Sequence, residues 1–380
     1  MMSSGAASGT EHRALLADSV ADFTARGTDL ARVRRLRGTP GEYDRAAWKS
    51  MAELGWLGIL VPESCGGLGL GLQEMAIVAR GLARSLVPEP LTACAVLATG
   101  ALAAGDNESL KREQLPRLAA GELVAALAWQ EDAGVLEAGA HRTRATPFEG
   151  GYKLNGTKRY VAGAAQADAY LVAAGSAEGM VLVWLPGQTA GVTLKIETLA
   201  DGRGFGTLTL ADALVPRAHV IAQGAAATEA VSQALDYARV IASAELCGVM
   251  GRALELTLDY MRTRVQFGKP IGSFQALQHR AVDLYIQQEL SSAVLDEALV
   301  LLDGGPDART RAATASRVKA RCSDAALRIT REAIQLHGAI GFTDEYDAGL
   351  YLKRALVLAA WLGNGALHRR RYARLTEAMA

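Results

Sequence analysis

The residues best equipped for chemistry in this 380-residue chain lie in one stretch, RTRVQFGKPIGSFQALQHRAVD, residues 262–283. Arg262 and Arg264, a Phe-Gly-Lys-Pro turn and the pair Phe274–Gln275 sit there between two long helical patterns. A guanidinium offers a planar fork of donors to a phosphate or a carboxylate. Arg264 therefore either holds an anionic ligand or pairs with a surface acid. Asp236 and Arg239 are three residues apart, which puts both on one face of a helix. Other chemistries find no support. GGLGLG at 66–71 lacks the Lys-Ser/Thr of a phosphate loop and reads as a helix-joining turn. No G-x-S-x-G elbow occurs. Cys65, Cys94, Cys247 and Cys322 lie far apart, and the histidines cluster with neither cysteines nor acids, so no metal site is expected. The cysteines read as reduced, mostly buried thiols.

The elements that must position these groups come in three textures. Residues 11–122 carry apolar residues at helical spacing, as in Trp48, Met51, Leu54 and Leu57. A flexible tail, residues 1–10, precedes them. Residues 123–225 hold short β-rich runs, with Asn155-Gly156 as a hairpin signal; a small barrel or sandwich is expected. From 226 to 380 the helical period returns, with Leu246, Met250, Leu254, Leu258 and Met261 on one stripe, and a four-helix bundle fits. The fold class is α+β. Forty basic residues balance forty acidic ones, which argues against a nucleic-acid partner. The apolar run 91–104 is too short to span a bilayer. With no apolar leader in MMSSGAASGT, a cytoplasmic protein is expected.

The motifs, taken together and in order, resemble the acyl-CoA dehydrogenase family over nearly the whole chain. They are R-x-Q-F-G-x-P-I-G-x-F-Q (Arg264 to Gln275), Q-x-x-G-x-x-G (Gln335, Gly338, Gly341), GWLGILVPESCGGLGL (55–70) and Tyr152, Gly156, Lys158. The resemblance implies FAD as cofactor and removal of hydrogens from Cα and Cβ of an acyl-CoA thioester. It implies that Arg264, Phe267, Phe274 and Gln275, with Gln335 and Gly338, grip the pyrophosphate and adenosine of FAD across a dimer interface. It further implies Tyr160 at the flavin, Asp236 and Arg239 at the acyl-CoA, and an electron-transfer flavoprotein as acceptor.

The departures are as informative. The family takes the α proton with a carboxylate, either in a Tyr-Glu-Gly-Thr motif or just before the Arg of the D-x-x-R pair. Leu362 and Ala238 stand at those two positions here. The T-E-P-x-x-G-S-D stretch reads Gln130-Glu131-Asp132, then Val135-Leu136-Glu137, and Trp-x-Thr reads Tyr160-Val161-Ala162. Of the remaining acids, Glu131, Glu137, Asp236 and Glu245, none matches a family base. Glu245 is expected in a core polar contact. The adenosine-gripping half thus matches and the flavin half does not. This pattern suits one subunit of a homo-oligomer or of a heteromer with a homologous chain. AIQLHGAIGFT and ALHRRR resemble bacterial members built as such unlike pairs. Two alternatives stand beside it: a non-oxidising relative that binds FAD and acyl-CoA, and a non-catalytic partner completing another chain's FAD site.

Overall fold

The computed structural model describes residues 4–27, 30–39, 41–139 and 142–377. Helices lead: α1 (Ser4–Gly27), α2 (Leu30–Leu36), α3 (Arg45–Glu53), α4 (Leu72–Arg84), α5 (Thr99–Ala103) and α6 (Glu108–Ala119). The first three residues of the expected tail lie outside the described residues. Strands follow: β1 (Ala125–Ala128), β2 (Arg144–Phe148), β3 (Gly151–Ala162), β4 (Ala169–Ser176), β5 (Gly179–Pro186), β6 (Val192–Thr198), β7 (Gly204–Pro216) and β8 (Val220–Gln223). The remainder is α7 (Gly224–Thr263), a ribbon of β9 (Val265–Gln266) and β10 (Lys269–Pro270), then α8 (Gln275–Asp303), α9 (Ala308–His337), α10 (Ala348–Ala360) and α11 (Gly365–Glu377). The architecture is the α+β order of helices, β sheet and helices.

Helix starts follow local chemistry. Asp44, Asn107 and Asp307 each accept a backbone N–H of the first turn of α3, α6 and α9, which satisfies donors that no intrahelical carbonyl can reach. Two compact units result. One gathers residues up to 34, 76–87 and 239 onward; the other gathers 35–75 and 88–238. The N-terminal helical segment is shared between them.

In the second unit the strand order is β6-β7-β3-β2-β4-β5-β8, with β1 added to β4. Leu154, Val172, Val183, Leu208 and Val215, from β3, β4, β5 and β7, meet in one core. The Asn155-Gly156 pair is not a hairpin turn. It lies inside β3, where the pairing with β7 slips between Leu154 and Gly156. The Asn155 side chain accepts from the Asp212 N–H and donates to its carboxylate, at 3.0 and 2.9 Å, stitching a bulge. The turn between β2 and β3 falls at Glu149–Gly150 instead. Gly156 has φ +143°, and a Cβ there would come within 2.6 Å of the Thr143 Cα. Glycine is required because β3 passes hard against residue 143.

That close approach frames a buried ion pair. Lys158 Nζ lies 2.6 Å from Glu131 Oε1, with the lysine fully buried. Glu131 also accepts the Arg142 and Thr143 N–H groups, at 2.7 and 3.0 Å. The Tyr152…Gly156…Lys158 spacing is therefore structural: glycine for the approach and lysine for the pair. In the first unit α7 from Arg239 onward, α8 and α9 are long helices, followed by the shorter α10 and α11. Leu246, Met250, Leu254 and Met261 are buried on α7, and Leu258 is half-buried. Among the described residues no helix is long and apolar enough to cross a membrane.

The ion pair yields a stability prediction. Burial alone raises the Glu131 pKa, but Lys158 and the two N–H groups outweigh it and hold the carboxyl at about 2. A carboxyl whose folded pKa lies below its ordinary 4.5 adds stability above that value and loses it as pH falls towards 2. Lys158→Met removes the buried counter-ion of the carboxylate, leaving the two N–H donors and the exposed Arg142 3.6 Å away, and is expected to cost about 3–5 kcal/mol at neutral pH. Urea unfolding at pH 7 and pH 3 measures both; the loss must shrink at the lower pH.

Candidate functional site

The turn after α10 is built by carbonyls that buried cations hold. Leu362 is buried, 4% exposed, and adopts a left-handed φ of +58°. A non-glycine residue there costs roughly 1–2 kcal/mol, so the surroundings must impose it. Its carbonyl accepts from His368 Nε2 at 2.9 Å and Arg239 Nε at 3.4 Å. Lys319 Nζ donates to the carbonyls of Leu358, Ala359 and Gly363 at 2.9, 3.3 and 3.0 Å. Those are unpaired acceptors at and just beyond a helix C-terminus, where a cation is also favoured by the helix dipole. Burial, then the Arg239 charge, lowers the Lys319 pKa to about 7. Gly363 follows with φ +106°. Asn364 stands where the family motif has threonine, and its carboxamide oxygen accepts the Leu367 N–H at 3.0 Å, so the cap of α11 is preserved.

The Leu362 N–H has no hydrogen-bond partner among the described residues. Buried main-chain donors without partners are rare. In a turn this firmly held, such a donor is suited to a ligand oxygen. Arg239 is fully buried, and so is Asp236, one turn earlier on α7. Ala238, between them, is also fully buried.

The expected adenosine-gripping residues gather at one end of the helices of this unit. The Arg264 N–H bonds the Tyr260 carbonyl at 2.8 Å, and the Tyr260 ring lies 4.5 Å from that of His337, beside Gln335 and Gly338. Arg264 is exposed, and no acid pairs with its guanidinium among the described residues. Phe267 is 93% exposed at φ +51°, in edge contact with Phe274 at 6.2 Å. Lys269 Nζ sits 4.4 Å above the Phe274 ring. Gln275 opens α8, whose first turn has no side-chain cap at Phe274. Gln335 is exposed, and Gly338, at φ +66°, has nothing within 4 Å of where a Cβ would lie. A planar cation, an exposed aromatic ring, an uncapped helix start and a bare backbone turn fit a phosphate-bearing aromatic nucleotide.

The β unit holds the remaining expected residues. Tyr160 has φ +58°, at a slip in the β3–β7 register, and Arg159 lies 5.2 Å from its ring centre. Ala162 pairs with Phe205 and brings no hydroxyl. Glu131 is committed to Lys158, so its low pKa and filled acceptor sites disqualify it as a base. Glu137 is exposed. Glu245 is in the polar contact expected of it, 2.6 Å from Arg354, both largely buried.

Sequence reading missed His368, Ser316, Arg371 and Lys319. His368 and Arg371 sit in the run HRRR, which reads as a solvated charge cluster. Lys319 is one of several basic residues on α9, and its spacing does not set it apart.

The family models described as "Acyl-CoA dehydrogenase, N-terminal domain" and "Acyl-CoA dehydrogenase, C-terminal domain" match residues 10–122 and 228–376. The chain is 30% identical over 348 residues to acyl-CoA dehydrogenase IpdE2 of Mycobacterium tuberculosis, covering 91% of each. It is 29% identical to mitochondrial isovaleryl-CoA dehydrogenase of Solanum tuberosum, over 85% of this chain and 80% of that one. Among solved structures, a variant of the Tcur3481–Tcur3483 steroid ACAD aligns with TM-score 0.87 and 27% identity, over 97% of this chain and 99% of that one. The ChsE4–ChsE5 complex of M. tuberculosis aligns with TM-score 0.86 and 27% identity, over 97% of each chain.

The Glu245–Arg354 pair can be separated from any chemistry. Glu245→Ala removes a buried ionic partner of Arg354 and is expected to cost about 3–5 kcal/mol. The closely isosteric Glu245→Gln should cost less. Thermal unfolding of both variants checks the order; equal loss would count against the ion pair.

Proposed function

Because the chain belongs to the acyl-CoA dehydrogenase family, we propose that it binds FAD and an acyl-CoA thioester as one subunit of a heteromeric acyl-CoA dehydrogenase, whose α-proton base lies on a homologous chain. The observation that carries this is Leu362. Its turn offers a main-chain N–H to a carbonyl oxygen, while its side chain has no group that takes a proton. A thioester carbonyl that accepts this N–H is polarised, which makes the neighbouring Cα–H more acidic. Abstraction still requires a carboxylate within reach of Cα, and neither Leu362 nor Ala238 is one.

FAD, when bound, supplies the acceptor for the hydride that leaves Cβ. Arg264 would hold its pyrophosphate, Phe267 its adenosine, and Gln335 with the Gly338 backbone would approach the phosphates. These residues serve a neighbouring chain, which suits the exposure of Arg264, Phe267 and Gln335 on their own unit. Asp236 and Arg239 would order the acyl-CoA end. The reading is supported by two relatives whose names pair two different chains, Tcur3481–Tcur3483 and ChsE4–ChsE5. It is also supported by Val282, Ile286 and Leu290, exposed apolar residues four apart on α8 beside the exposed Tyr285. A stripe of that kind suits a subunit interface. An electron-transfer flavoprotein would re-oxidise the assembly, and the cytoplasm is its expected compartment.

Two measurements test the reading. Arg264→Lys replaces a two-pronged donor by a point charge. Flavin retention after dialysis of the assembly should weaken by about 1.5–3 kcal/mol, the worth of one charge-assisted hydrogen bond; unchanged retention counts against Arg264. The second measurement is anaerobic flavin reduction by acyl-CoA, including a steroid side-chain thioester. The chain alone should be inactive, and co-expression with its homologue should confer activity. Leu362→Glu in the chain alone should add nothing. A gain of roughly 10²–10⁴-fold, the usual worth of general-base catalysis, would show a self-sufficient site that lacks only its base and would reject the heteromer.

A further inference from the structure

His368 sits in a buried relay whose hydrogen-bond directions are forced. Its Nε2 faces the Leu362 carbonyl at 2.9 Å, and a carbonyl only accepts, so Nε2 carries the proton. Its Nδ1 lies 3.3 Å from Ser316 Oγ. In the neutral ring that nitrogen only accepts, so the serine hydroxyl donates to it. Ser316 Oγ in turn accepts from Arg371 at 3.0 Å, and Arg371 also donates to the Ala312 carbonyl at 3.1 Å. The protonated ring is disfavoured by burial first, then by the Arg239 and Lys319 charges, which bring its pKa to about 2. The ring is thus a fixed donor tied to α9 and α11, and its target is the carbonyl of the left-handed residue.

We propose that His368 is a positioning residue: the relay Arg371–Ser316–His368 clamps the Leu362 carbonyl, fixes residue 362 in its left-handed conformation, and keeps the Leu362 N–H available to the acyl thioester. The thioester part rests on the function proposed above; the clamp does not. The consequence is specific. Affinity for the thioester depends on a side chain six positions away in sequence, and on its being a donor at the reach of Nε2, not on its being an imidazole. Glutamine can place an N–H at that reach, and leucine cannot.

The test uses the full chain, with its homologous partner where co-expression requires one, and butyryl-CoA as probe. Imidazole ¹⁵N shifts should report a neutral Nε2–H ring for His368 from pH 5 to pH 8. Backbone shifts and hydrogen exchange of Leu362 should be the same in the wild type and His368→Gln, and altered in His368→Leu. Butyryl-CoA should bind about tenfold more weakly to His368→Leu, the scale of one lost hydrogen bond, and within about twofold of wild type to His368→Gln. It should slow exchange of the Leu362 amide in the wild type and His368→Gln only. An imidazolium or Nδ1–H ring, a folded His368→Leu with wild-type affinity, or a His368→Gln as impaired as His368→Leu would each overturn the proposal. If the wild type binds no thioester, the functional reading and the thioester part fall together. The Leu362 shifts in the two variants then decide the clamp alone.

Discussion

A helix that ends inside a protein leaves carbonyls that must find donors, and the first unit is organised around that demand at the end of α10. Lys319 meets the carbonyls of Leu358, Ala359 and Gly363, while Arg239 and His368 meet that of Leu362. Each donor comes from a different helix, α9, α7 and α11. The turn therefore cannot move without breaking contacts in three directions. Burying cations is costly unless their hydrogen bonds are met. Here main-chain carbonyls accept from Lys319 Nζ and Arg239 Nε, so these donors are met at the turn. This cluster is what holds a leucine in a backbone conformation that leucine avoids.

The β unit solves a parallel problem by another route. Glu131 and Lys158 are buried together, and the carboxylate takes two further N–H donors from residues 142 and 143. Gly156 lets the strand come close enough for this to happen. Glu131, Gly156, Lys158 and Arg239 match the motifs shared with the family, and Asn364 caps α11 where the motif has threonine. Two positions depart from those motifs. Leucine replaces a carboxylate at 362, and alanine replaces a hydroxyl at 162.

Much of this was legible in the sequence because it rests on local chemistry. The order helix, sheet, helix followed from periodicity. The motif around Arg264 gave the residues expected to grip a nucleotide, and the fold gathers them at one end of the helices. Asn155-Gly156 misled because its turn preference is local, whereas a side-chain exchange with Asp212, 57 residues away, claims it for a bulge. The clamp on residue 362 was illegible for the same reason. Nothing near His368 or Lys319 in sequence announces that their partners are backbone carbonyls, and carbonyls carry no sequence signature. The Arg-rich run around His368 reads as surface, yet Arg371 and His368 point to the interior and only Arg369 and Arg370 remain exposed.

A left-handed leucine stores about 1–2 kcal/mol of strain, and a glycine at 362 would relieve it. The same exchange would remove a side chain that is almost wholly buried, a loss of about 1.5–3 kcal/mol. The two terms nearly balance, so strain alone gives little reason to change the residue. The surrounding donors shift that balance. If residue 362 relaxed, Arg239 and His368 would lose their shared acceptor, and each unmet buried donor costs about 1–3 kcal/mol. The turn is thus held by the groups around it and not by the residue that occupies it. Its geometry can persist whatever side chain position 362 carries, and a carboxylate can be absent there while the main-chain donor remains.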